Sequence, residues 1–95
     1  MYRWSLYVLR CGDGSLYTGV AVDVARRFAQ HAAGKGARYT RGRGPLTLIA
    51  KTSCADRSAA LRAELRFKRL SRSEKQAVLA RRRGLLAFAR RAVGR

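Results

Sequence analysis

The chain has 95 residues, enough for one domain that buries only roughly 60–65% of the surface its unfolded chain exposes. So small a core disfavours a deep enclosed site and suits a shallow one facing a polymer. Its 22 Lys and Arg residues against 5 Asp and Glu give a formal charge of +17. That charge points to a polyanion as partner, since each neutralised phosphate releases condensed counterions.

Cys11 and Cys54 stand 43 positions apart with no metal or redox spacing, so reduced thiols are expected. No segment reads as a signal peptide or membrane span, and a cytoplasmic location is expected.

In chain order, Trp4 to Leu9 is rich in strand formers. Trp4, Leu6 and Val8 share one face, with Ser5, Tyr7 and Leu9 on the other. Cys11-Gly12-Asp13-Gly14 is turn chemistry, and Leu16 to Val20 reads as the returning strand. Such a hairpin brings Tyr7 and Tyr17 near each other on one face. Asp23 is a candidate N-cap for a helix reaching about Ala33, with Val24 and Phe28 as its apolar stripe. Arg27 and His31, four apart, share a neighbouring face. Gly34-Lys35-Gly36 ends this helix.

Ala37 to Pro45 is a basic, glycine-bearing loop, and Leu46 to Ala50 is a third strand. Asp56 caps a second helix, which Leu61 and Leu65 are expected to pin to the core, with Glu64 and Lys68 on an adjoining face. Ser71 and Glu74 have capping-box spacing for a third helix. Residues 1–82 are read as the domain proper. Residues 83–95, carrying Leu85, Leu86, Phe88 and Val93, are read as a basic last helix or a partly ordered tail.

Phosphodiester chemistry needs a cation on the phosphate, a base for water and help for the leaving oxygen. Glu64 is a candidate ligand for one hard divalent ion, or half of a helix ion pair with Lys68. Arg27 is a candidate phosphate clamp, or a solvated helix arginine. His31 is a candidate base, relay or phosphate donor, or a surface residue. Tyr7 and Tyr17 are candidate bases if a cation favours the phenolate, or ordinary strand aromatics. Gly19 lets a phosphate or another backbone come close. Lys35, Arg38, Tyr39, Arg41 and Arg43 suit phosphate tracking, with Tyr39 stacking on a base.

Ser5-Leu6-Tyr7 and, ten residues on, Tyr17-Thr18-Gly19 resemble the paired tripeptides of the GIY-YIG nuclease superfamily. The run from Tyr17 to His31, Gly34-Lys35-Gly36-Ala37-Arg38-Tyr39-Thr40-Arg41 with Pro45-Leu46, and Asp56 to Glu64 with Lys68 resemble its small stand-alone branch, called UPF0213 or YhbQ-like. The resemblance spans residues 3 to 80. It implies an α+β fold, an α/β sandwich with a three-stranded antiparallel sheet flanked by helices. It also implies hydrolysis of DNA by a one-metal mechanism with Mg²⁺ or Mn²⁺, structure-selective or acting on single-stranded or branched DNA in repair or recombination.

Carried over position by position, Tyr7 and Tyr17 match the motif tyrosines and Arg27 the helix arginine. His31 falls where members have histidine or tyrosine, and Glu64 matches the metal-binding glutamate. Lys68 joins the nucleic-acid contacts. Val20 stands where the excision-repair members have lysine, and Gln76 where a carboxamide follows the glutamate. DNA is then expected over RNA as partner, with a separate targeting protein. The alternative is a non-catalytic basic nucleic-acid-binding accessory protein.

Overall fold

The computed structural model describes residues 3–93. Ser5–Arg10 forms β1 and Leu16–Ala21 forms β2, joined by a turn in which the Cys11 N–H donates to the Ser15 carbonyl at 2.8 Å. The Asp13 carboxylate accepts from the Ser15 N–H at 3.0 Å and from its hydroxyl at 2.6 Å. An aspartate side chain replaces backbone contacts in this way at tight turns. A third strand, β3, Thr47–Ser53, pairs with the other edge of β1. The sheet is antiparallel throughout, with order β2-β1-β3. The sheet expected from the resemblance is the sheet observed.

β3 occupies Thr47–Ser53 rather than the Leu46–Ala50 expected. Its polar end, Lys51 to Ser53, is strand because it pairs with Tyr7 to Ser5, not because of its own pattern. A register shift between Val8 and Leu9 sets β3 one residue out of step, the mark of a bulge.

The remaining elements are helices: α1, Val24–Ala32; α2, Arg57–Lys68; α3, Arg72–Ala80; and α4, Gly84–Val93. A short 3₁₀ turn at Arg38–Thr40 sits in the loop after α1. Their starts follow from the caps read in the sequence. Asp23 accepts from the Arg26 N–H at 3.0 Å and Asp56 from the Ala59 N–H at 2.8 Å. Ser71 and Glu74 form a reciprocal capping box.

Because β1 is the central strand, both of its faces are buried. Leu6 and Val8 enter a layer built with α2 and α4, through Ala59, Ala60, Ala63, Phe67, Leu85, Ala89 and Ala92. Tyr7 and Leu9 enter a smaller layer on the other face, with Val24 of α1 and partly buried Tyr17, Phe28, Leu46 and Leu48. Residues 84–93 are helical, and Leu85, Ala89 and Ala92 are buried in the same core as the sheet. Gly94 and Arg95 and the surroundings of the Val93 side chain lie outside the described residues.

The expectation that Leu61 and Leu65 pin α2 to the core is corrected. Leu65 is 51% exposed and Leu61 only partly buried, while Ala60, Ala63 and Phe67 are fully buried. Small residues let the helix backbone approach the sheet, and Phe67 fills the remaining space, edge-on to Phe88 with ring centroids 5.4 Å apart. Phe67→Ala is therefore expected to cost about 3–5 kcal/mol of folding stability. Leu65→Ala is expected to stay within about 0.5 kcal/mol of wild type. Urea unfolding of the two variants checks both, and equal losses would return Leu65 to the core.

Candidate functional site

The site is built on the smaller layer, starting from Tyr7 at the centre of the sheet. Tyr7 lies opposite Gly19 in the β1–β2 pairing. A Cβ at position 19 would stand 2.6 Å from the Tyr7 hydroxyl, so the glycine makes room for that phenol. The Tyr7 Oη lies 2.8 Å from Nε2 of His31, in the last turn of α1. Both residues are 1% exposed. The reading of His31 as a surface residue does not hold.

The loop after α1 encloses the imidazole from its other side. A Cβ on Gly36 would fall on the ring. The Thr40 Oγ is 2.9 Å from His31 Nδ1, and the Ala37 N–H donates to Nδ1 at 3.3 Å. Gly36 and Thr40 were missed as site residues by sequence reasoning. The signal was their place in the Gly36-Ala37-Arg38-Tyr39-Thr40 run, which reads as a basic loop until its fold back onto the helix is known.

Outward from this pair the site becomes aromatic and cationic. The Tyr17 ring centroid is 6.3 Å from that of Tyr7, 5.1 Å from that of His31 and 5.9 Å from that of Tyr39. Tyr39 is 41% exposed. The Arg43 guanidinium stands 4.4 Å from the Tyr39 ring centroid, and Lys68 Nζ stands 5.8 Å from that of Tyr17. Both fall within cation–π range. Arg43 also forms a 2.7 Å ion pair with Asp13, tying the loop to the hairpin turn. Lys35, Arg38 and Arg41 are exposed.

Arg27 and Glu64 complete the group. Arg27 is partly buried and donates to the Gln30 side chain at 3.0 Å. That contact aims the guanidinium and adds Gln30 to the residues sequence reasoning missed. α2 packs against β2 as well as β1, and its Glu64 carboxylate, 19% exposed, lies 3.2 Å from Lys68 Nζ. The ion pair of the sequence reading is therefore present, and it sits beside the Tyr17 ring. Among the described residues, no three His, Cys, Asp or Glu side chains gather as a metal cluster.

Val20 faces the α2–α4 layer, so a side chain at that position points away from Tyr7. Gln76 is exposed on α3. No described helix is long and apolar enough to cross a membrane.

The electrostatics follow from burial. The Tyr7 hydroxyl is pushed up to about 12, first by desolvation and then by Tyr17, with a smaller push from Glu64. Arg27, near enough to stabilise the phenolate, works in the opposite direction. In the free protein Tyr7 is thus a neutral phenol. His31 is held below its ordinary value by desolvation and then by the Arg27 charge, so it is neutral near pH 7. Burial pushes the Cys54 thiol up, which disfavours its thiolate.

Residues 3–77 match the family model described as the GIY-YIG catalytic domain. The chain is 52% identical over 88 residues to a UPF0213 protein of Cronobacter sakazakii, covering 93% of this chain and 90% of that one. It is 53% identical over 79 residues to one of Cupriavidus pinatubonensis, covering 83% and 88%. Among solved structures, the UPF0213 protein of Bacillus halodurans is similar with TM-score 0.55 and 46% identity, over 84% of each chain.

The lowered His31 value makes a pH prediction. The unfolded chain takes up the proton near 6.5, its ordinary value, while the folded chain resists it until lower pH. The contribution of neutral His31 to stability is full above 6.5 and is lost as pH falls through the folded value. Wild type is expected to lose stability relative to His31→Gln as pH drops below 6.5, with a constant difference above it. Urea melts across a pH series check this, and a pH-independent difference would contradict it.

Proposed function

The chain belongs to the GIY-YIG family and to its UPF0213 branch, and from that premise we propose that it is a basic nucleic-acid-binding protein. A backbone phosphate sits beside Arg27, and bases stack on Tyr39 and Tyr17. The observation that carries this reading is the run of aromatic faces from Tyr7 through Tyr17 to exposed Tyr39, with Lys68 and Arg43 over its rings. Rings supply sequence-tolerant stacking, and cations track the backbone. Exposed Lys35, Arg38 and Arg41 extend the track. Arg43, already paired with Asp13, holds the loop in shape as well. DNA is the preferred polymer, in keeping with the resemblance to DNA nucleases.

A second reading, hydrolysis of the bound strand, is favoured by the gathering of Tyr7, His31, Arg27 and Glu64. Mg²⁺ takes one or two carboxylates and fills its other positions with phosphate oxygens and water. The donor set suits one such ion, Mg²⁺ or Mn²⁺, on Glu64, with Lys68 released from the carboxylate. A bound ion would polarise the scissile phosphate. Arg27, steadied by Gln30, would brace the same phosphate. Tyr7 would accept the proton of the attacking water only as a phenolate, which its burial opposes and nearby cations favour. That opposition is why binding stands ahead of hydrolysis.

Fluorescence anisotropy with labelled single-stranded, branched and duplex DNA, and RNA for comparison, tests the binding reading. The logarithm of the affinity should fall linearly with the logarithm of salt. Tyr39→Ala should weaken binding by about tenfold, in line with the roughly 1–3 kcal/mol of one stacked base. Arg38→Ala should reduce the salt slope by about 1. No retention at low salt would overturn this reading. Incubating the same DNAs with Mg²⁺ or with chelator tests the second. Cutting should need the metal and vanish in Glu64→Gln; cutting that survives either change belongs to another site.

A further inference from the structure

Leu61 and Leu65 form an apolar stripe that the core does not take up. Four apart, they share the face of α2 that points away from its buried alanines and Phe67. Two open grooves adjoin there. One, of about 580 Å³, is lined by Arg57, Ser58, Leu61, Arg62 and Leu65. The other, of about 610 Å³, is lined by Arg62, Leu65, Arg66, Arg69, Leu70 and Phe88. Arg62 and Leu65 belong to both. Leu61, Leu70 and Phe88 are partly buried and floor the grooves, the four arginines are exposed and rim them, and Leu65 stands between. Within α2 the one acid, Glu64, is already paired with Lys68. None of the lining residues belongs to the site around Tyr7 and His31.

We infer that this outward face of α2 is a docking surface for an acidic segment of another protein, one that presents leucine-sized side chains between carboxylates. Apolar surface rimmed by polar groups marks a protein contact, and arginine is enriched at such contacts. Guanidiniums on the rim match carboxylates by charge and by their forked geometry. Nucleic acid fits the face less well. Leucines give bases no stacking surface, and the Phe88 ring is set edge-on against Phe67. A second copy of the chain brings +17 against +17, and four of its five acids are engaged in its own turn and helix caps. A membrane takes up a protruding apolar ridge, whereas most of the apolar surface here lies in grooves, which receive side chains.

The probe is a synthetic helical peptide of about 14 residues, roughly four turns, with leucines at i, i+4 and i+7 among glutamates. Its control has serine at the leucine positions. Each is titrated into ¹⁵N-labelled protein and followed by amide shifts. The leucine peptide is expected to bind at least about fivefold tighter than the control and to move the amides of α2, Leu70 and Phe88 most. Leu65→Ala, expected above to keep its stability, should remove about fivefold of that affinity. Arg62→Glu should weaken binding further and flatten its salt dependence. Dispersed amide signals show that each variant is folded. Equal affinity for the two peptides, or shifts centred elsewhere, overturns the inference and leaves only general charge attraction. Single-stranded DNA that moves the same amides as strongly makes the face a nucleic-acid contact instead. Leu65-dependent sedimentation with phosphatidylglycerol vesicles, or a Leu65-dependent dimer in analytical ultracentrifugation, reassigns it to a membrane or to a second copy, and the inference fails. DNA anisotropy should be unchanged in Leu65→Ala, so the fate of this surface and that of the proposed function are read separately.

Discussion

The hydrogen bond between Tyr7 and His31 is the contact around which the site is arranged. It joins the central strand to the last turn of α1 across a buried face. Two glycines from distant parts of the chain exist in service of it. Gly19 leaves space for the phenol on the neighbouring strand, and Gly36 leaves space for the imidazole beneath the loop. With those positions fixed, the 3₁₀ turn can close over the ring, and Tyr17 and Tyr39 follow outward in sequence. Loss of either glycine's space would move the pair, and the aromatic run with it.

The distribution of acids reinforces this picture. The chain has five, and four of them serve the backbone. Asp13 shapes the hairpin turn, Asp23 and Asp56 cap α1 and α2, and Glu74 closes the capping box of α3. Only Glu64 has no such local duty, and it lies beside the tyrosines. In so basic a protein, an acid mid-helix among arginines would otherwise be expected to serve simple charge balance. Its ion pair with Lys68 offsets one positive charge where the carboxylate is partly buried.

What was legible in the sequence was what local chemistry determines. The alternation in β1, the caps Asp23 and Asp56 and the Ser71–Glu74 box each depend on residues within a few positions. The candidate site residues Tyr7, Tyr17, Arg27, His31 and Glu64 were legible through resemblance more than through pattern. Contacts made across the chain were not legible. Leu61 and Leu65 imitate a core stripe, but α2 turns alanines inward because the sheet is close and Phe67 is large. Thr40 and Gly36 look like ordinary loop residues, because their meaning depends on a histidine the loop must fold back to reach. Gln30, one turn from Arg27, carries no local signal of the contact it makes.

The two side-chain layers are separated by a sheet one strand thick, with even-numbered β1 residues on one side and odd-numbered ones on the other. Substitutions in well-separated groups without shared partners add nearly independently. The alanine-rich side can therefore drift in sequence, or be reinforced by design, while the tyrosine side is altered separately. A chain this small thus carries two separate side-chain layers on the two faces of one central strand.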